Sequence, residues 1–580
     1  MTQQTDDKAV SFTHVAIVGG GPVGLMLALF LDRLGVRSTV FNTDAAVRPH
    51  PKGSTQNART MEHYRTLGFA EAVRAVGLPP DHPTDVAYFT RYNGWELARL
   101  RMPSTVEALR QRAETSATDQ VPEPLHRANQ MYVERILFTQ AAGRPGITIR
   151  FGCHVDTFSQ DGAGVTFRTS GTDGTVERWR ADYLVGCDGG RSSVRRALGI
   201  HYAGFETLKQ AFFGGRMISS HVRAPTLYRD FLGNGRAFQY WSINPEQRIA
   251  LVALNGVDEF LIWTPSETDN PPPETVAAVL RRCAGADLPV EVLASHGWTA
   301  GVALHAERFG DGRVLLAGDA VHLFTPTGGF GMNTGVDDAS NLAWKLAGAV
   351  QGWGGPGLIA SYEAERKPIA VRNTAAARAL ARSVGSIPVP GKIEAPTLEG
   401  HHARAEVGAF LATFGEEFAS LGVQLGARYD GSPIVMPDGT PPPDDTFAYM
   451  PSGVPGGRAP HLWLDGRRGA GSSLFDRFGP GFTLLQLGPE AGGSGLPDPD
   501  SDPNCDPGPL AAAAAQRGLR LTVLRVAHPE AQALYGRPLS LVRPDGHIAW
   551  RGDRIPANPA ALLDQVSGHA VSADLAMHAA

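Results

Sequence analysis

The sequence predicts an α/β chain: a parallel sheet covered by helices, interrupted by a β-rich insert and followed by a tail of different composition. Three observations predict it. A short apolar strand, a glycine turn and an apolar helix follow one another twice, over 14–34 and again over 313–351. Short β-rich runs dominate between Ala203 and Trp298. Beyond Gly385 the chain turns rich in Pro, Gly and Asp.

Taken in order, His14–Val18 reads as a strand, Val23–Leu34 as a helix starting in the glycine turn, and Ser38–Phe41 as a second strand. Together they make a β-α-β unit of about thirty residues. Thr60–Leu67 and Val133–Ala142 carry helical spacing, while Ile147–Phe158, Val165–Arg168 and Ala181–Val185 read as strands. Ala237–Ile243 and Ile249–Asn255 represent the β-rich stretch. Arg313–Ala317 is another apolar strand, followed by a helix from Met332 to Gln351 and helical segments through Arg382. Gly385–Pro396 and Asp430–Pro460 are loop-like, and Gly488–Pro509 holds 5 Gly and 6 Pro in 22 residues. Ala511–Gly518, Leu519–Arg525 and Leu539–Asp553 return to helix and strand patterns, so the tail is expected to be a separate domain.

Composition excludes several classes. A chain of 580 residues buries ample core without staples, and its 4 cysteines (Cys153, Cys187, Cys283, Cys505) form no C-x-x-C, so neither a disulfide framework nor a metal site is expected. The net charge of −5 leaves no basic footprint for nucleic acid. Val15–Leu31 is the longest run without an ionisable residue, yet its 17 residues are broken by Gly19-Gly20-Gly21-Pro22 and preceded by Asp6 and Asp7. That argues against membrane insertion or a signal peptide, and a cytoplasmic protein is expected.

Gly19-x-Gly21-x-x-Gly24 stands between a strand and a helix, the setting a dinucleotide fingerprint needs. The first glycine permits the turn, the second lets backbone approach a pyrophosphate, the third allows close helix–strand packing, and the helix start, with Pro22, faces the phosphates. The ribose-binding place at the end of the second strand holds Asn42 in place of the usual acid. A second segment is more specific: Gly318-Asp319, then Pro326-Thr-Gly-Gly329-Phe-Gly331-Met332-Asn333 at the start of a helix. A strand there delivers a carboxylate to polyol hydroxyls. The glycines let an aromatic ring lie on bare backbone, and the helix start presents N–H groups to an anion such as a reduced flavin.

These motifs resemble those of the FAD-dependent aromatic hydroxylases, the class A flavoprotein monooxygenases. Val185-Gly-Cys187-Asp188-Gly189-Gly-Arg191 is similar to their Asp-Gly motif, linked to FAD and NAD(P)H. Arg127-x-x-Gln130, with Glu134, resembles the helix start that reaches the ribityl and phosphate region. Lys52 stands where the family commonly has Arg beside the pyrophosphate, and keeps its charge while losing the bidentate fork. Asn57–Glu62 and Tyr362-Glu363-Ala-Glu365-Arg366-x-Pro368 continue the likeness. In the tail, Arg458-Ala-Pro-His461, Leu474-Phe-Asp476 and Leu541-Val-Arg543-Pro-Asp545-Gly-His547 resemble the third domain of the phenol hydroxylase and 2,4-dichlorophenol 6-monooxygenase branch.

The resemblance implies a Rossmann-like FAD-binding domain over 1–80, 117–200 and 299–384. It implies an α+β substrate domain with an antiparallel sheet over 81–116 and 201–298. Residues 400–580 would form a thioredoxin-like domain without a redox pair, serving structure or homo-oligomer contacts. It implies FAD and NAD(P)H as cofactors, with O2 and a small aromatic molecule as reactants. The reaction would hydroxylate a phenolic or polycyclic aromatic through a flavin C4a-hydroperoxide. A phenol reacts better as phenolate, and Tyr240, on a middle-domain strand, is the candidate to assist its deprotonation. His322 is expected to hold a structural hydrogen bond, whereas Arg48, His50 and Asn57 could border the substrate. Rivals stay open: a Baeyer–Villiger oxygenation of a related ketone or a non-oxygenating flavin reductase, and a non-redox binding protein on the same fold.

Overall fold

The computed structural model describes residues 10–570 apart from 207, 209, 211, 213, 234, 419 and 489–505. Cys505 and most of the Gly488–Pro509 run therefore lie outside the described residues. Strand Ser11–Val18 places Val15, Ala16 and Ile17 at zero exposure, inside the core its sheet shares with helix Pro22–Arg33. It pairs in parallel with Val176–Gly186 on one side and Ser38–Asn42 on the other. Val314–Leu316 and Ile147–Phe151 extend the sheet outward, again in parallel. The expected strand over 147–158 is two strands, broken at Gly152, whose φ of +68° ends the first. Helix Pro22–Arg33 packs on helix Phe330–Gln351, and Gly335 and Gly318 bring them close: a Cβ on either would press on Val23, at 2.6 and 2.9 Å.

The β-rich insert builds a seven-stranded sheet in the order 291–300, 215–223, 259–265, 247–253, 239–244, 86–89, 96–100. It is antiparallel except where Gln239–Asn244 runs parallel to Val86–Phe89, since the chain passes through the first domain between those two strands. Helix Pro273–Ala284 covers one face through Val276, Leu280 and Cys283. Helix Leu398–Ala412 packs on the other through Val407 and Leu411. The tail carries a four-stranded sheet, order 521–527, 482–488, 539–542, 548–552, whose first two strands are parallel and linked by helix Gly508–Gln516. This is the β-α-β/β-β-α arrangement of a thioredoxin-like domain, closed by helix Pro559–Val566.

A buried ion network ties the tail to the first domain. Arg543 grips Glu365 through both nitrogens, at 2.7 and 2.8 Å, and reaches Asp545 at 2.5 Å; Lys345 joins Glu365 at 2.7 Å. Arg366 holds Asp337 and Asp338 at 2.6 and 2.7 Å, and Glu62 is held by Arg59 and Arg458. The bases Arg59, Lys345, Arg366, Arg458 and Arg543 match the acids Glu62, Asp337, Asp338, Glu365 and Asp545 one for one, so the cluster is neutral. The neighbouring cations hold the Glu365 carboxyl down to about 2 although burial opposes them.

Burial also holds two histidines between these layers in the neutral form. His126 is pushed down to about 4 and His461 to about 3, while both rings are hydrogen-bonded. The unfolded chain takes up these protons near pH 6.5 and the folded one does not, so folding stability falls as pH drops from 6.5 toward 4. Thermal unfolding midpoints measured across that range should decline. His461→Gln should flatten the profile, and a flat wild-type profile would contradict this account.

Candidate functional site

Three turns meet at the carboxyl ends of strands 11–18, 176–186 and 314–316, where ligands settle in parallel sheets. Gly19 adopts φ +116°, and a Cβ there would fall 2.3 Å from the Cys187 carbonyl oxygen. A Cβ on Gly24 would stand 2.0 Å from the Gly19 carbonyl oxygen, so this residue sets how closely the helix approaches the strand. Gly21 is different: its φ of −80° suits any residue, and a Cβ there meets nothing within 4 Å. It borders open space at the start of a helix that has Pro22 at its first turn and no capping side chain. Those uncapped N–H groups and the helix dipole favour an anion.

The other residues singled out by sequence divide into those that face open space and those tied to protein partners. The Asp319 carboxylate is exposed and makes no hydrogen bond with any described residue, while Gly189 stands open with φ +82°. Asn42 accepts from the Gly20 amide at 3.2 Å, tying the second strand to the glycine turn. Asp188 accepts from Ser192 Oγ at 2.5 Å and from the Ser193 and Val194 amides, ordering the turn after its strand. Gln130 donates to Glu134 at 2.5 Å. The Asn333 amide is spent on the Thr55 and Gly329 carbonyls and the Asn57 amide, which leaves only its backbone at the helix start. Gly329 caps that helix in the left-handed region, beside half-buried Gly331 and Met332. His322 gives Nε2 to Asp338 at 2.6 Å with both side chains fully buried, as the structural reading expected. Arg48 pairs with Asp44 at the surface, and Asn57 caps helix Ala58–Leu67 through the Thr60 amide.

A cavity of about 410 Å³ opens between the glycine loop and the middle sheet. Pro326, Thr327, Gly328 and Gly329 form one wall, the 50–55 segment another, and the sheet the third. Lys52 and Arg127 line it; Arg127 bonds Thr55 Oγ1 at 2.5 Å and stacks 4.3 Å from the Phe238 ring. Phe238, Trp263, Trp298, Phe324 and Phe418 give it an aromatic surface. On its lining His50 lies against His296, ring centroids 3.8 Å apart and planes tilted by 40°, and burial with that neighbour pushes His50 down to about 4.

Tyr240 does not reach this cavity. Side chains alternate along strand 239–244, and Gln239 takes the cavity face. Tyr240 points the opposite way, into the cluster with Tyr92 and Tyr228 under helix 273–284, where its oxygen accepts from the Ala237 amide at 2.6 Å. Burial holds its phenol well above the usual range. Tyr240→Phe should therefore leave turnover unchanged and lower stability by about 1–3 kcal/mol, the cost of an orphaned buried amide, as read by denaturant unfolding.

Sequence reasoning missed Gln239, Ser219, Trp263, His296 and Trp298. Every residue of strand 239–244 is buried, because one face packs under helix 273–284 and the other meets the cavity at Gln239 and the helix 398–412 cluster at Trp241 and Ile243, so no polar alternation marks either face.

Comparison with known proteins adds the family. A family model described as FAD binding domain matches residues 12–377, and one described as Aromatic-ring hydroxylase, C-terminal matches 452–570. A putative polyketide hydroxylase of Streptomyces halstedii is 34% identical, covering 95% of this chain and 96% of its own length. The 2,4-dichlorophenol 6-monooxygenase of Delftia acidovorans is 29% identical over 93% of this chain and 95% of its own. The solved structure of RebC soaked with chromopyrrolic acid and holding 7-carboxy-K252c superposes with a TM-score of 0.84 at 34% identity, covering 97% of this chain and 100% of that one.

Proposed function

Since the chain belongs to the FAD-dependent aromatic-ring hydroxylases, we propose that the three glycine turns hold FAD and that the cavity beside them takes the aromatic substrate. The reaction is NAD(P)H-dependent monooxygenation of a phenolic or polycyclic ring. The observation that carries this reading is the placement of one aromatic-lined cavity between the Pro326–Gly329 loop and the middle sheet.

The residues present fit the cofactor. Gly21 leaves a cradle that any Cβ would fill, and the uncapped helix start behind it supplies N–H groups to a pyrophosphate. Asp319 offers an unshared carboxylate to a polyol hydroxyl. The start of helix Phe330–Gln351, bare of a capping side chain, presents N–H groups and a positive dipole end toward negative charge on a ring. Lys52 and Arg127 add positive charge at the cavity wall.

FAD, when bound, supplies the electron transfer and the activation of oxygen. The chain's part is binding, orientation and exclusion of water. The aromatic walls hold a flat substrate by stacking, and the stitched loops around Asn333 and Arg127 fix its distance from the glycine loop. Among the described residues no helix is long and apolar enough to cross a membrane.

Purified protein should carry or take up FAD, and phenols or fused-ring phenols should accelerate its NAD(P)H consumption. A colourless protein that fails to take up FAD would overturn the proposal.

A further inference from the structure

Several polar side chains around the cavity are committed to protein partners. Thr55 Oγ1 receives Arg127, Ser54 Oγ receives Asn129, Thr327 donates to the Ala377 carbonyl, and Gln424 accepts from the Ala58 amide. Two are not. Gln239, 7% exposed, and Ser219, 9% exposed, line the cavity and make no side-chain hydrogen bond with any described residue. Their polar atoms are open to the cavity, so the pair is available to hydrogen-bond a ligand held there.

Their spacing says how large that ligand is. Both stand on the cavity face of the middle sheet: Ser219 shares a row with Trp263 across strands 215–223 and 259–265, and Gln239 shares a row with Val252. The strands that carry Ser219 and Gln239 are three steps apart in the sheet, roughly 14 Å. Trp263 and Val252 make an apolar floor between them. A single ring with one hydroxyl can satisfy one end of this floor and leaves the other unpaired.

We propose that Gln239 and Ser219 are the specificity-determining residues of this site, hydrogen-bonding polar substituents at opposite ends of a fused-ring aromatic that lies flat across Trp263. The proposal rests on the hydroxylase reading and narrows its substrate to polycyclic compounds with oxygen groups at both ends. A site built around hydrogen bonds rejects a molecule that lacks them, because its buried groups are then left bare.

The test titrates FAD-loaded protein with a dihydroxyanthraquinone and, separately, with phenol, following Kd by calorimetry and bound flavin by absorbance. The anthraquinone should bind at least ~10-fold more tightly than phenol. Gln239→Leu and Ser219→Ala should each weaken the anthraquinone roughly 5- to 150-fold, the loss of one buried hydrogen bond, while phenol is weakened by only one of the two variants and flavin content is unchanged. Gln239→Met, closer in shape, should match Gln239→Leu. Variants that bind the anthraquinone as wild type does, or a wild type that binds phenol as tightly or fails to bind the anthraquinone, would overturn the proposal. A protein that takes up no FAD yet binds the anthraquinone through Gln239 would instead overturn the hydroxylase reading and leave this assignment standing.

Discussion

Gly21→Val should yield a folded protein that has lost its flavin. The backbone at Gly21 already adopts a conformation open to any residue, and a Cβ there meets no protein atom within 4 Å, so the apo fold should be unaffected. The same Cβ occupies the space in which a pyrophosphate would approach the helix start. Hydrogen bonds to charged groups contribute about 1.5–3 kcal/mol each, so losing two weakens FAD roughly 100-fold or more. Gly24→Val is the contrasting variant. Its side chain begins 2.0 Å from the Gly19 carbonyl oxygen, which forces the helix off the strand and destabilises the protein with or without cofactor. Flavin content and apo unfolding midpoints measured on both variants separate the two roles. A Gly21→Val protein with full flavin would show that the cradle is not where FAD sits.

Arg543→Met should destabilise the protein by about 3–5 kcal/mol, the usual penalty for stranding a buried charge. Arg543 is fully buried and neutralises Glu365 through two bonds and Asp545 through two more. Without it, Lys345 alone faces two carboxylates, and burial has already pushed that lysine down to about 8. The network continues through Arg366 and Asp338 to the Gly318 amide and His322, so weakening the tail contact should also loosen the Gly318–Asp319 turn. Denaturant unfolding of the holoprotein should show the loss, with flavin released at lower denaturant than in the wild type. A change below ~1 kcal/mol would mean that the network relaxes or admits water.

The two halves of this account were unequally legible in the sequence. Gly19, Gly21 and Gly24 could each be assigned a distinct physical demand from spacing alone, because local geometry sets those demands. The Tyr362–Pro368 and Arg543–His547 segments could be recognised as family-like, but not explained. Glu365 and Arg543 lie 178 positions apart, and nothing local says that they form one ion cluster. Strand 239–244 shows the opposite failure. Burial on both faces erases its alternation, so Tyr240, chemically the more suggestive residue, drew attention from its neighbour Gln239. Asn333 stands at the helix start after the glycine loop, yet its amide is used to hold loops together, a role that depends on Thr55 and Asn57 arriving from elsewhere.

The most direct test of the central claim is isotopic. With a polycyclic phenol, NAD(P)H and 18O2, the account predicts a product that gains one oxygen atom, labelled with 18O and carried as a new ring hydroxyl. Product that carries no 18O, or that takes its new oxygen from labelled water, would contradict it.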